Sequence, residues 1–168
     1  MPLPSFRALY LAFPIVLGMH NWDEWIDAKR LSGSSHRWLP SKYLGGDVVR
    51  FAMISLVFAS AAVAVLNYVV SSEKLATLAE LSLFALLFNA IGHVLMSMTT
   101  RARTPGMRSA AFLVLPYSAT AIAVAAQGSG RQALGLWRVA LAGLVALPVM
   151  IVIALAIALA AHRLIARR

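Results

Sequence analysis

Four polar side chains, spaced in two matching pairs along apolar sequence, are the residues that could carry chemistry. His20 and Glu24 are four residues apart, and so are Asn89 and His93. Residues four apart lie on one face of an α-helix, about one turn from each other. Imidazole nitrogens combined with carboxylate and amide oxygens are ligands suited to zinc or iron. The spacing therefore predicts that these four side chains hold one divalent metal ion, zinc or iron.

The acidic pair Asp23 and Glu24 supplies the candidate catalytic groups of this site. Glu24 is assigned both to the metal and to the reaction, and Asp23 is the candidate general base for a metal-activated water. A two-metal centre in a helical bundle uses two Glu and two Glu-x-x-His motifs, whereas the whole chain has six Asp and Glu residues. Of these, Glu73 is expected in the outer connection, and Glu80 near the outer end of its helix on nearly the opposite face from His93. One metal ion is therefore expected. The absence of Cys excludes thiolate ligands.

The helices that must position these groups are predicted to cross a membrane. The chain of 168 residues is 61% apolar and 12% charged, whereas about a quarter of the residues of soluble proteins are charged. A stretch of about 20 apolar residues crosses the hydrocarbon core. The sequence predicts one all-α domain, 1–168, a bundle of five transmembrane helices. The spans are expected at about 4–26, 50–72, 76–100, 107–127 and 136–162, with a polar cytoplasmic loop at about 27–47.

The distribution of basic residues predicts the orientation of these spans. Five spans place eleven Lys and Arg residues on one side: Lys29, Arg30, Arg37, Lys42, Arg50, Arg101, Arg103, Arg108, Arg163, Arg167 and Arg168. The other side holds four: Arg7, Lys74, Arg131 and Arg138. Because basic residues concentrate in cytoplasmic segments, the N-terminus is expected outside and the C-terminus in the cytoplasm, in the plasma (inner) membrane of a bacterium.

The net charge of +9 is explained by this membrane setting. Membrane lipids are the expected partners, and Arg101, Arg103 and Arg108 could bind anionic lipid headgroups at the cytoplasmic face or orient the helix beside them. Nucleic acid is not expected as a partner. The sequence does not determine the oligomeric state.

The predicted orientation of the helices places the two polar pairs at similar depth. The predicted first and third helices both run from outside to inside, so both pairs fall in the cytoplasmic half at similar depth. Each residue alone has a simpler reading, because Asn89 and His93 could hydrogen-bond to a neighbouring helix, and His20 with Glu24 could form an interfacial ion pair. Ionisable groups within membrane spans are costly and mark functional sites by default. Taken together, the pairs favour a shared polar site.

The same residues carry a resemblance to a known family. His20-Asn21-Trp22-Asp23-Glu24 on an apolar helix resembles the signature of the HXXEE-domain family of small integral membrane proteins. The segment Asn89-Ala90-Ile91-Gly92-His93, followed by Thr104-Pro105-Gly106, is similar to the second polar region of that family. The resemblance extends from about residue 9 to 126 and departs from the pattern at Asp23, where the family has Glu. It implies membrane embedding and supplies no reaction.

Two classes of function fit these predictions. The first is a metal-dependent hydrolase or lipid-modifying enzyme that acts near the cytoplasmic headgroups. The second is non-catalytic: a small transporter or ion carrier, or an accessory membrane subunit whose polar cluster serves assembly. A column of polar groups reaching the outer face would favour transport, but the predicted second and fifth helices are apolar until their ends. The sequence therefore favours a site that is open to one side only.

Overall fold

The fold is all-helical in the part of the chain that the structure describes. A computed structural model describes residues 4–31, 46–70, 72–129 and 133–166. The helices are α1 (Pro4–Tyr10), α2 (Phe13–Leu31), α3 (Gly46–Val69), α4 (Glu73–Thr100), α5 (Met107–Ser109), α6 (Leu115–Ser129) and α7 (Ala133–Ala166), and a π-helical turn (Ala110–Val114) joins α5 to α6. The prediction of an all-α helical bundle is confirmed.

Four of these helical stretches are long and apolar enough to cross a membrane: Asp47–Val69, Glu73–Thr100, Met107–Gln127 and Gly135–Leu164. Only 11% of the apolar window of the last stretch is buried inside the protein. Large apolar side chains such as Phe58 and Phe112 are 73% and 83% exposed. Extended apolar surface of this kind suits lipid rather than water, so the helices support an integral membrane protein.

The first predicted span, 4–26, is divided between two helices. Pro14 has no N–H to donate to the carbonyl of Tyr10, and its ring collides with that carbonyl in a continuous helix. Accordingly α1 ends at Tyr10, and Leu11 and Ala12 form a tighter turn with hydrogen bonds to Ala8 and Leu9. The all-helical bundle therefore contains four candidate spans together with the broken pair α1 and α2.

The predicted polar loop at 27–47 is helical where it is described. Helix α2 continues to Leu31, and α3 begins at Gly46. Positions 32–45 of this predicted loop lie outside the described residues. The single domain over 1–168 stays a prediction.

The core lies between α1, α2, α3, α4 and α6. Phe6 and Tyr10 of α1, Leu83 of α4 and Val114 of the π-helical turn are all fully buried in one apolar cluster. Helix α4 is the most buried of the candidate spans, with 44% of its apolar window inside the protein. It is thus the central element on which His93 and Asn89 are carried.

Helix α7 packs along the outside of this core, against α4 and α3. A Cβ atom at Gly143 would lie 2.5 Å from the Cβ of Phe84, so the two helices touch where only glycine fits. Further along, Ala154 and Ala158 pack against Val48 and Ala52. Small residues of this kind let membrane helices approach closely, and α7 contributes no side chain to the site described below.

Candidate metal centre

Three of the predicted site residues meet in the interior of the bundle. His20 and Glu24 come from α2 and His93 from α4, and their exposed fractions are 0%, 7% and 6%. One ligand atom from each lies within 4.8 Å of the other two. The distance from His93 Nε2 to Glu24 Oε1 is 3.9 Å, and the imidazole rings are 5.2 Å apart between centroids. This is the only group of three or more potential His or carboxylate ligands among the described residues.

The two matched pairs meet because α2 and α4 run in the same direction. The Nδ2 atom of Asn89 is 3.1 Å from His20 Nε2, and one turn further along both helices His93 faces Glu24. The contacts therefore advance together along the two helices. This agrees with the expectation that both pairs face one centre, although Asn89 meets the His20 ring itself.

Hydrogen bonds determine which nitrogen of His20 carries the proton. The amide nitrogen of Asn89 can only donate, so His20 Nε2 accepts and offers a lone pair. The other nitrogen, Nδ1, donates to Ser109 Oγ at 2.9 Å, and Ser109 Oγ in turn donates to the Gly106 carbonyl at 3.0 Å. An imidazole held in this way by its second nitrogen is the usual arrangement of a metal-ligating histidine.

The segment between α4 and α5 is fastened over His93. Thr104 Oγ1 donates to the His93 carbonyl at 3.1 Å, and the Thr104 N–H donates to Ser97 Oγ at 3.0 Å. Thr104, Pro105 and Gly106 are all buried. We call residues 101–106 the covering loop, because its buried part closes the bundle above His93.

The covering loop reaches α2 at Gly106. Its φ of 73° is in the left-handed region, which favours glycine. A Cβ atom at this position would lie 3.1 Å from Glu24 Cβ and 3.2 Å from His20 Cε1. Glycine is therefore needed here both for the backbone conformation and for the close approach to the two residues of the His20 motif.

Asp23 faces the start of the helical run that follows the covering loop. Its Oδ2 accepts the Ser109 backbone N–H at 3.1 Å. Ser109 is the third residue of α5, where N–H groups have no partner within the helix. A carboxylate there satisfies the N–H and is stabilised by the helix dipole. Its predicted role as general base stays a prediction.

An ion pair between Asp27 and Arg103 ties α2 to the covering loop. Arg103 Nη2 donates to Asp27 Oδ2 at 2.6 Å, and the Asp27 side chain is 5% exposed. Sequence reasoning placed Arg103 with the lipid-facing basic residues and assigned no role to Asp27. The sequence did place Asp27 near the site, because Asp27 lies three residues after Glu24 and hence on the same helical face.

Polar residues elsewhere in the core do not join this centre. Tyr117, on α6 beside Pro116, donates to the Leu9 carbonyl at 3.1 Å and so holds α1 in place. Asn67 on α3 and Ser118 on α6 are fully buried, and their side chains have no hydrogen-bond partner among the described residues. These groups form a separate feature of the interior.

The centre as a whole suits a cation. Two imidazoles and a carboxylate converge in a buried space, and within the described residues the sole basic group at ion-pair distance from Glu24 is His93. A buried carboxylate is costly unless a cation, a proton or hydrogen bonds compensate it. His20, Glu24 and His93 could thus hold one metal ion. The assignment of Asn89 as a fourth ligand stays a prediction.

Comparison with known proteins agrees with the motifs that build this centre. A family described as "Protein of unknown function with HXXEE motif" matches residues 11–121. That range includes His20, Glu24, Asn89, His93 and the whole covering loop. No curated protein and no solved structure matches the chain. The family match covers more than half of the chain, as the resemblance in the sequence implied, and the protein therefore belongs to the HXXEE family.

Proposed function

We propose that this protein is an integral membrane metalloprotein in which His20, Glu24 and His93 hold one zinc or iron ion. The observation that carries the proposal is the convergence of three buried ligand atoms from two helices within 4.8 Å of one another. Three protein ligands leave a coordination position for water or substrate, as in catalytic zinc sites. The lone pair on His20 Nε2 also supports metal binding by this residue.

Asn89 is the proposed orienting residue or fourth ligand. Its amide nitrogen now lies 3.1 Å from His20 Nε2, the nitrogen that a metal ion would use. Rotating the amide by half a turn exchanges its nitrogen for its oxygen, and an amide oxygen is a metal ligand. Asn89 is thus close enough to serve the site in either role.

The proposed activity is that of a hydrolase or lipid-modifying enzyme. A bound zinc or iron ion would supply a Lewis acid and an activated water. Glu24 and Asp23 are the candidate catalytic carboxylates: Glu24 lies within the cluster, and Asp23 lies beside it on Ser109. The cluster occupies the end of the bundle that carries the covering loop. The excess of basic residues on that side supports a site near the cytoplasmic headgroups of a bacterial inner membrane, with the N-terminus outside.

Transport of a proton or metal ion is the alternative function. Asn67 and Ser118 are buried without partners in the described part of the chain, and Glu80 is only 4% exposed. Buried polar and acidic groups in membrane helices also mark ion paths. This observation favours a polar passage more than the sequence did, because Asn67, near the end of α3, is fully buried.

Elemental analysis of the purified protein tests the proposal. We expect about one zinc or iron ion per chain after purification in detergent without chelators, as a site with three protein ligands predicts. Dialysis against a chelator should remove the ion, and adding it back should restore the same stoichiometry. If the untreated protein contains no metal and takes up none, the metalloprotein proposal is wrong, and proton transfer or a role in assembly becomes the favoured alternative.

The hydrogen bond from His20 to Ser109 gives a second expected result. Ser109→Ala removes the acceptor for His20 Nδ1 and keeps the backbone N–H that Asp23 accepts. Loss of such a supporting partner typically weakens metal binding by about 10- to 100-fold. Competition with a chromogenic chelator measures the affinity. The matched control is Ser60→Ala, because Ser60 is buried but donates only to Val57 of its own helix. Equal affinities in the two variants would show that Ser109 does not support the site.

A further inference from the structure

An open groove lies on the outer side of the covering loop. Its volume is about 560 Å³. Three arginines and three large apolar side chains line most of it: Arg101, Arg103, Arg108, Met98, Met107 and Phe112. The groove therefore combines concentrated positive charge with apolar walls.

The positive charge of the groove is largely uncompensated. Arg103 is paired with Asp27, but neither Arg101 nor Arg108 has a carboxylate at ion-pair distance within the described ranges. Both are exposed. Arginine binds phosphate oxygens through parallel N–H groups. Two available guanidinium groups in one groove thus favour an anion of the phosphate class.

The apolar walls indicate what the anion is attached to. Phe112 and Met98 are 83% and 68% exposed, and both lie on helical stretches able to cross a membrane. An exposed apolar wall beside a phosphate site matches a phospholipid, whose headgroup is anionic and whose chains are apolar. A soluble phosphate would make no use of these walls.

The groove and the metal centre share the segment that separates them. Arg101, Arg103 and Met107 line the groove. Between them, Thr104 holds the His93 carbonyl, and Gly106 packs on Glu24 and His20. One side of this short segment therefore faces the groove and the other side faces the candidate metal ligands.

We infer that the groove binds the phosphate headgroup of an anionic phospholipid at Arg101 and Arg108, with an acyl chain against Met98 and Phe112. That this lipid is also the class of substrate rests on the proposed function. Binding itself needs only the groove, so it can be measured independently of the metal.

Lipid retention tests this inference directly. The purified full-length chain is mixed with equal amounts of phosphatidylglycerol and phosphatidylcholine in detergent, and bound lipid is counted by native mass spectrometry. Wild type should retain phosphatidylglycerol preferentially. R101Q/R108Q should lower that retention by roughly tenfold or more, since each arginine contributes to anionic lipid binding. The matched control is R138Q/R163Q, which removes two exposed arginines of α7 that do not line the groove.

Two further measurements are made. One distinguishes a lipid headgroup from free phosphate, and the other distinguishes the lipid inference from the metal proposal. Inorganic phosphate at the lipid concentration should leave retention unchanged, and displacement by it would mean that the groove binds free phosphate instead. Metal content is measured on the same samples. R101Q/R108Q should keep its metal, and H20A should keep its lipid. Equal retention of both lipids by wild type, or unchanged retention in R101Q/R108Q, would overturn the inference whatever the metal content. Lipid retention without any metal would overturn only the proposed function.

Discussion

Replacing either His20 or His93 with alanine should remove the metal from the purified protein. Each substitution takes away one of three ligand atoms that lie within 4.8 Å of one another. Changing a partner that only supports a ligand costs about tenfold or more in affinity, and loss of the ligand itself should cost more. Elemental analysis should therefore find less than about a tenth of the wild-type content in both variants. Glu24→Gln, which keeps the size of the side chain and removes its charge, should also lower the content.

His162→Ala is the matched control for these variants. His162 is exposed near the end of α7, away from the cluster. It should keep the wild-type metal content, so a general effect of removing an imidazole is accounted for. Wild-type content in both His20→Ala and His93→Ala would exclude the cluster as the metal site. Circular dichroism on the same samples verifies that the helices remain formed.

The sequence was sufficient to predict that the two helices bring their polar pairs together, whereas the role of these residues as metal ligands stays a prediction. Helical periodicity predicts that each pair lies on one face of its helix. One predicted span separates the two helices, so both helices run in the same direction and their matching pairs can face each other. The structure brings His20, Glu24 and His93 together in this way. Periodicity cannot give the distance between two helices, however, nor show that Asn89 meets His20 instead of a shared centre.

The residues that cover the site were not predicted, because their roles depend on the path of a loop. Ser109 follows a turn and has no motif of its own, yet it joins the His20 and Asp23 side chains. Gly106 belonged to the segment Thr104-Pro105-Gly106 that carries the family resemblance, but its contact with Glu24 depends on how the chain folds back. Local pattern predicts which face a residue occupies, whereas contacts across a loop depend on tertiary packing.

The break near the N-terminus shows a second limit. Hydropathy alone predicted one span at 4–26, and Pro14 lay within it. A proline inside an apolar stretch can be tolerated in membrane helices, so its presence did not exclude a continuous helix. The break at Tyr10 places the rings of Phe6 and Tyr10 in the core. The apolar side chains of this segment therefore pack in the interior of the bundle, and contact with lipid is not the only reason for its hydrophobicity.

Gly106→Ala should disturb the site although Gly106 has no side chain that could bind a metal or take part in a reaction. Alanine at a φ of 73° is strained, and its Cβ would press on Glu24 Cβ at 3.1 Å and on His20 Cε1 at 3.2 Å. Left-handed backbone at a residue other than glycine costs about 1–3 kcal/mol. We expect thermal unfolding in detergent to show a loss of that size and metal affinity to fall.

Gly92→Ala is the matched control, because it makes the same chemical change one residue before His93. A Cβ at Gly92 would have nothing within 4 Å. Alanine in a helix is more favourable than glycine by about 1 kcal/mol, so this variant should be as stable as wild type or more stable. Equal effects of the two substitutions would mean that the covering loop does not press on α2.

A double-mutant cycle can assign the effect of Gly106→Ala to its contact with the His20 ring. In a His20→Ala background the Cε1 atom is gone, so the steric cost of its contact should disappear, while the contact with Glu24 and the backbone strain at position 106 remain. The free energy of unfolding lost through Gly106→Ala should then be smaller in that background than in wild type. If the loss is the same in both, the contact with His20 contributes nothing, and the cost lies in the backbone and in the contact with Glu24.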